Sequence, residues 1–142
     1  MVNLTGMNVM TVKSFADSNI VLYTIGQDKR KTAIARDLIA NEIVISTQVV
    51  NESVSVCLRK FGFTKEKAYA FADIIMQRTN VIPVNEATIR KSADIAIQKQ
   101  ISNWDALIIA AALLADCDVL YSEDMQHGQI FENRLTVVNP FL

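Results

Sequence analysis

The sequence contains few of the residues on which many catalytic and structural sites depend. Its 142 residues include one His, two Cys, four Gly and two Pro. A single His excludes chemistry that needs two imidazoles as acid and base. Two Cys and one His cannot form a four-ligand zinc site within the chain. Scarce Gly and Pro, with 51% hydrophobic residues, exclude a disordered or low-complexity chain. A globular domain remains, and the length favours a single one.

The chain also lacks a strong net charge and a long hydrophobic run. Fourteen Lys and Arg balance fifteen Asp and Glu, so any polyanion must meet a local basic patch. The longest apolar run, residues 106–115, is shorter than the roughly 18 residues that a membrane span needs. Residues 1–10 lack the pattern of a signal peptide. Because Cys57 and Cys117 are isolated in the sequence, we expect a cytoplasmic protein.

Short apolar segments alternate with longer segments of helical periodicity. Strands are predicted at residues 12–16, 43–45, 81–84, 118–121 and 136–138. Helices are predicted at residues 29–41, 46–60, 64–75, 85–99 and 102–115. This alternation favours a three-layer α/β/α sandwich with a central, mostly parallel sheet of about five strands. We expect one domain over residues 1–142, with residues 1–10 as an N-terminal extension.

Four acidic residues occupy positions that face one edge of such a sheet. Ligand sites in parallel sheets lie beyond the carboxyl ends of the strands. Asp17 directly follows the first predicted strand, and Asp124 closely follows the strand that ends at Tyr121. Glu52 and Asp105 lie in the early turns of helices, which begin at that same edge. By the same rule, the acids at the opposite end of the 118–121 strand are expected to be inert; they are Asp116 and Asp118.

Four neighbouring carboxylates repel one another unless protons or a cation compensate the charge. Oxygen ligands suit Mg²⁺ or Mn²⁺. A metal ion there would bind a phosphate oxygen and lower the pKa of a bound water, which allows a nuclease to work without an imidazole base. Asn19 and Ser122 flank two of the acids and are neutral groups that could orient a carboxylate or a metal-bound water.

Each acid taken alone has an ordinary structural interpretation. Asp17 could cap the following helix, and Asp105 forms a Ser-x-x-Asp capping pattern with Ser102. Glu52 could be a solvated helix residue, and Asp124 a polar turn residue. The joint placement of all four at one predicted edge is what favours a site.

Four stretches of the sequence together resemble a known family. They are residues 15–19, 49–52, 103–108 and 120–125. Their order and spacing resemble those of PIN-domain ribonucleases of the toxin type found in bacterial VapBC toxin–antitoxin pairs, from about residue 11 to residue 139. The resemblance implies a hydrolase that cleaves RNA with Mg²⁺ or Mn²⁺, forms a homodimer and is inhibited by a cognate antitoxin.

The same resemblance assigns roles to individual residues. It implies that the family's acidic catalytic and metal site corresponds to Asp17, Glu52, Asp105 and Asp124. It places the family's accessory polar residues at Asn19 and Ser122. Residues 1–10 depart from the family pattern, in which the chain starts close to the first strand.

Basic side chains near Asp17 are candidates for contact with RNA phosphates. They are Lys29, Arg30, Lys31 and Arg36. A second basic group surrounds the Phe61-Gly62-Phe63 turn and comprises Arg59, Lys60, Lys65 and Lys67. For both groups, a solvated helix face is the favoured interpretation. Phe61 and Phe63 could stack on bases, but we expect them to be core or dimer residues. We expect Trp104 to pack in the same way and His127 to be a loop residue.

Two other functions remain open from the sequence. An aspartate-nucleophile phosphohydrolase typically carries Asp-x-Asp-x-Thr after its first strand, whereas residues 17–21 lack the second acid. A catalytically inactive RNA-binding or assembly module is the non-enzymatic alternative. The nucleotide-binding patterns GxxxxGK[ST] and GxGxxG do not occur.

Overall fold

The computed structural model describes residues 12–142, so the expected extension at residues 1–10 lies outside the described residues. In this part of the chain the strands are β1 (Ser14–Ala16), β2 (Val44–Ser46), β3 (Asn80–Ile82), β4 (Val119–Tyr121), β5 (Ile130–Phe131) and β6 (Leu135–Val138). The helices are α1 (Ser18–Tyr23), α2 (Lys29–Ile39), α3 (Thr47–Arg59), α4 (Lys65–Arg78), α5 (Glu86–Lys99) and α6 (Asn103–Leu114). None of the helices in residues 12–142 is long and apolar enough to cross a membrane.

The strands form one sheet in the order β3-β2-β1-β4-β6-β5. All neighbouring pairs are parallel except β5 and β6. The strand order reverses between β1 and β4, where Ala16 pairs with Tyr121. This is the switch point at which parallel sheets bind ligands, and the residues that follow β1 and β4 meet there.

Helices flank the sheet and share one hydrophobic core with it. Residues Val44–Ser46 of β2 are buried throughout. Helix α6 is buried on nearly every side, from Ala106 to Leu113, because it packs against both β2 and α5. The predicted α/β class with a mostly parallel central sheet is therefore confirmed, and so is the buried position of the most apolar helix.

The sequence did not predict β5, which has two residues and pairs antiparallel with β6 at the edge of the sheet. Two residues are too few for a periodic pattern. The other end of the sheet is β3, and Pro83 directly follows it. Pro cannot donate to a strand ladder, and here it lies just past the end of an edge strand.

The acids expected at the opposite end of β4 lie there and make structural contacts. Asp118 accepts a hydrogen bond from the backbone N of Lys13 at 3.2 Å. Asp116 pairs with Arg134 at 3.0 Å. These contacts hold the start of β4 next to β1 and to the turn before β6, far from the switch point.

Candidate active site

Asp17 lies at the end of β1 and is only 7% exposed. Its backbone N donates to Tyr121 O at 3.0 Å, which extends the β1–β4 ladder by one residue. One carboxylate oxygen, Oδ1, accepts from Ser18 N at 2.7 Å and caps α1. The other, Oδ2, accepts from Ser122 Oγ at 2.9 Å. The capping role that the sequence allowed is therefore real, and the second oxygen is held toward the strand switch.

Asn19 links two of the predicted acids. Its side-chain Nδ2 lies 3.1 Å from Asp124 Oδ2 and 3.4 Å from Asp17 Oδ2, and it donates to both. Its Oδ1 accepts from the backbone N of Glu123 at 3.2 Å. Asn19 thus holds the loop after β4 close to the start of α1.

Ser122 fixes the same loop from inside the protein. Its hydroxyl donates to Asp17 and accepts from the backbone N atoms of Asp124 and Met125, each at 3.3 Å. One donor and two acceptor positions are all that a hydroxyl offers. Ser122 is fully buried, so the network is fixed relative to the sheet.

Glu52 and Asp105 approach the site from the first halves of α3 and α6. Burial is the main cause that raises the pKa of Glu52 to about 7, and the negative charges of Asp17 and Asp105 add to it. Burial also raises the pKa of Asp105 above its usual value, with Asp124 as the second cause. The Ser102 hydroxyl caps α6 by accepting from Asp105 N at 3.1 Å, so Ser102 is the capping residue and the Asp105 carboxylate stays near the other acids.

The charges of the four acids act on one another. Burial raises the pKa of Asp17 most, and the nearby charges of Asp105 and Asp124 raise it further, although hydrogen bonds from Ser18 and Ser122 oppose the shift. The ion pairs found within residues 12–142 involve other acids. Excess negative potential therefore collects at this edge of the sheet. A cavity of about 170 Å³ opens beside it, and Asp105 and Asp124 are among its lining residues.

The donor set fits a hard divalent ion by its chemistry, since all four side chains offer carboxylate oxygens. As placed, however, no three His, Cys, Asp or Glu side chains of residues 12–142 lie close enough together to hold a metal ion. Mg²⁺ commonly keeps several waters and takes only one or two protein carboxylates directly. Asp17 and Asp124, which share the Asn19 amide, are the pair best placed for direct contact.

The predicted RNA-binding side chains mostly have partners within the protein. Lys31 forms an ion pair with Glu123. Arg30 Nη2 donates to Phe141 O at 2.6 Å, and Arg36 Nε donates to Thr24 O at 2.8 Å. Lys29 is exposed at the start of α2. Contact of this group with RNA stays a prediction, and its exposed members are Lys29, Arg30 and Arg36.

Several features near the site were not predicted. Tyr23 OH and Lys31 Nζ both donate to Glu123, the residue before Asp124. Gln48 of α3 donates from Nε2 to Trp104 O at 3.3 Å, and its buried Oε1 has no hydrogen-bond partner. These contacts join residues that are far apart in the sequence, so no local sequence pattern predicts them.

The aromatic residues that were expected to pack in the core or in a dimer differ in their exposure. Trp104 is 61% exposed and Phe61 is 42% exposed, so neither side chain is buried in the core. Phe63 is half-buried and its ring lies 5.9 Å from that of Phe61. His127 lies in a loop, as expected, and its Nδ1 accepts from Asn139 N at 2.9 Å.

Comparison with known proteins assigns the chain to a family. The family model for the PIN domain matches residues 14–130, and the chain belongs to the PIN domain family. No curated protein sequence matches it.

Solved structures with the same fold include bacterial toxin–antitoxin proteins. The toxin–antitoxin complex from Klebsiella pneumoniae has a TM-score of 0.68 at 16% identity, covering 90% of this chain and 98% of that one. VapC20 of Mycobacterium tuberculosis, described as a sarcin–ricin loop cleaving toxin, has a TM-score of 0.64 at 18% identity, covering 79% and 90%. VapBC-1 from nontypeable Haemophilus influenzae has a TM-score of 0.59 at 25% identity, covering 80% and 87%.

Proposed function

We propose that this protein is an endoribonuclease that hydrolyses RNA phosphodiester bonds with Mg²⁺ or Mn²⁺. The observation that carries the proposal is the convergence of four acids at the strand switch: Asp17, Glu52, Asp105 and Asp124. The negative charges of neighbouring acids in this group help to raise the pKa values of Asp17, Glu52 and Asp105. Membership of the PIN domain family supports a nuclease. The metal requirement rests on the carboxylate chemistry of the site.

Asp17 is the fixed member of the site. Hydrogen bonds from Ser18 N and Ser122 Oγ hold both of its oxygens, and burial keeps it dry. A carboxylate held in this way does not have to reorganise when a cation binds. Asn19 donates to both Asp17 and Asp124 and holds them side by side, so the two carboxylates form a preformed pair to which a cation could bind.

The remaining acids complete the negative edge. Glu52 and Asp105 are partly buried and keep their side chains near Asp17 from two different helices. A divalent ion bound here would supply Lewis-acid stabilisation of the phosphate and a water of lowered pKa. The carboxylates would orient that water and compensate the ion's charge, so that no imidazole base is required.

We further propose a cognate antitoxin as the protein partner, a homodimer as the working form and the cytoplasm as the location. The antitoxin proposal is supported by structural neighbours that are toxin–antitoxin complexes. In this interpretation the protein is the toxin of the pair. Co-purification of a neighbouring gene product that blocks RNA cleavage would test the partner, and sedimentation of the purified chain would test the dimer.

The central test is RNA cleavage by the purified protein with Mg²⁺ or Mn²⁺. We expect cleavage that stops with EDTA, and Asp17→Asn is expected to reduce it at least 100-fold while the circular dichroism spectrum is retained. Asp116→Asn is the matched control, because Asp116 lies at the opposite end of β4 and pairs with Arg134. It should leave cleavage unchanged.

Three results would contradict the proposal. Cleavage that survives both EDTA and Asp17→Asn would remove the metal mechanism. A phosphorylated Asp17 trapped with a phosphomonoester would favour the phosphohydrolase alternative, although Asn19 stands where that class carries a second acid. RNA binding without cleavage in either metal would favour a non-enzymatic module.

A further inference from the structure

Trp104 is a large apolar side chain exposed at the border of the acidic site. It is the only Trp in the chain, lies in the first turn of α6 directly before Asp105, and is 61% exposed. Trp residues normally bury most of their area. An exposed indole one residue from a site acid therefore needs a reason outside the packing of the domain.

The backbone of Trp104 is held by the same elements that hold the acids. Gln48 donates to Trp104 O at 3.3 Å, and Gln48 lies one turn before Glu52 on α3. Ser102 caps α6 through Asp105 N. The backbone of Trp104 is therefore fixed relative to the helices that carry Glu52 and Asp105.

Polar side chains lie beside Trp104 along the chain. Ser102 and Asn103 precede it and are exposed, and Thr47, next to Gln48, is exposed as well. Leu107 lies one turn further along α6 and is half-buried. The exposed face of the indole is flat and can stack on another flat ring.

Charge also favours an uncharged contact at this position. The acids beside Trp104 repel nucleic-acid phosphates, and Lys31, Arg30 and Arg36 are engaged within the protein. A contact that does not depend on charge can add to the affinity for a nucleotide next to the site. Stacking of a base on an indole is such a contact, and it tolerates any base because every base has a π-face.

We propose that Trp104 is the stacking platform for an unpaired RNA base next to the scissile phosphate. This inference rests on the proposed ribonuclease function and adds a substrate subsite to it. The subsite takes a single-stranded base, since a paired base would not offer its face to the indole.

Because Trp104 is the only Trp, intrinsic indole fluorescence reports on this residue alone. An unstructured RNA oligonucleotide is titrated into the Asp17→Asn variant with Mg²⁺, and also into the wild type in EDTA. We expect saturable quenching of the Trp104 fluorescence when the RNA is added to the Asp17→Asn variant with Mg²⁺. In a series of oligonucleotides that each carry one abasic position, the quenching should disappear at one position only.

Kinetics give the second measurement. Trp104→Ala is expected to raise KM for RNA about tenfold and to change kcat less than twofold, because stacking contributes to binding. Trp104→Phe should recover most of the loss. Tyr69→Ala is the matched control, since Tyr69 is an aromatic residue of α4 with 58% exposure, and it should leave KM unchanged.

The inference is overturned if Trp104→Ala leaves KM unchanged. It is also overturned if the Trp104 fluorescence changes with protein concentration or on addition of antitoxin but does not change on addition of RNA. The latter results would make Trp104 a protein contact. Failure of the ribonuclease proposal is distinct, because wild-type protein would then not cleave RNA with either metal. Cleavage by the wild type together with an unaltered KM in Trp104→Ala removes the stacking subsite alone.

Discussion

The buried Ser122 hydroxyl donates a 2.9 Å hydrogen bond to Asp17, although 105 residues separate the two. This contact crosses the strand switch and joins the ends of β1 and β4. It makes the geometry of the most buried acid depend on the loop that carries Asp124.

Replacement of Ser122 by Ala should therefore affect both stability and activity. The variant loses the donor to Asp17 and the acceptor for two backbone N atoms. We expect unfolding to become easier by about 1–3 kcal/mol and RNA cleavage to fall about tenfold. Urea denaturation and initial rates measure the two effects.

Ser53→Ala is the control for the loss of a buried hydroxyl. Ser53 donates to Val49 O within α3, so its loss should change stability by less than about 1 kcal/mol and leave cleavage intact. Equal loss of activity in both variants would show that Ser122 acts only through general stability.

The stability of the metal-free protein should depend on pH through Glu52. Its pKa is about 7 in the folded protein and 4.5 ordinarily, so the folded state holds the proton more tightly than the unfolded state. The resulting stabilisation is complete below about pH 4.5 and is lost as the pH rises through about 7. Because Glu52 is only partly buried, we expect the melting temperature in EDTA to fall by a few degrees between pH 5 and pH 8.

Two further measurements check this interpretation. Glu52→Gln carries no titrating group and should flatten the decline, although Asp17 and Asp105 also have raised pKa values. Mg²⁺ should raise the melting temperature more at pH 8 than at pH 5, since ligand carboxylates must be deprotonated. A melting temperature that rises with pH in EDTA would contradict the proposed charge clustering.

Lys29 and Lys31 should differ although both were predicted to contact RNA. Lys31 is paired with Glu123 and its side chain is 27% exposed, whereas Lys29 is exposed. If Lys29 contacts a phosphate, Lys29→Ala weakens RNA binding and reduces the salt dependence of binding by about one unit. Lys31→Ala should instead lower the melting temperature slightly and reduce cleavage by releasing the loop before Asp124.

The salt dependence of RNA binding, measured for both variants, separates these cases. If Lys31→Ala changes the salt dependence of RNA binding and leaves stability unchanged, Lys31 contacts RNA. If Lys29→Ala leaves the salt dependence of RNA binding unchanged, Lys29 does not contact an RNA phosphate.

The position of the site could be predicted from the sequence because it follows from topology. Parallel strands end at one edge, so Asp17 and Asp124 were expected at the same edge of the sheet. That β1 and β4 are neighbours is known only from the structure. Asn19 and Ser122 could be placed at the same edge because each lies two residues from one of these acids in the sequence. The two-residue strand β5 carried no periodic signal and was not found.

Side-chain partners could not be predicted in the same way. Whether Lys31 meets Glu123 or solvent depends on packing between α2 and the loop after β4, which are 92 residues apart. The exposure of Trp104 depends on its angular position around α6 and on what covers that face. Hydrophobicity alone favoured packing in the core or in a dimer, and in this chain Trp104 is not in the core.

The interleaved order of the sheet has a consequence for synthesis of the protein. Strand β1 sits between β2 and β4, so the acids are drawn from segments that leave the ribosome at widely separated times. A truncated nascent chain that ends before β4 would contain Asp17, Glu52 and Asp105 but neither Asp124 nor the Ser122 hydroxyl that holds Asp17. The proposed RNA-cutting centre would therefore be assembled only after the loop that follows β4 has been synthesised.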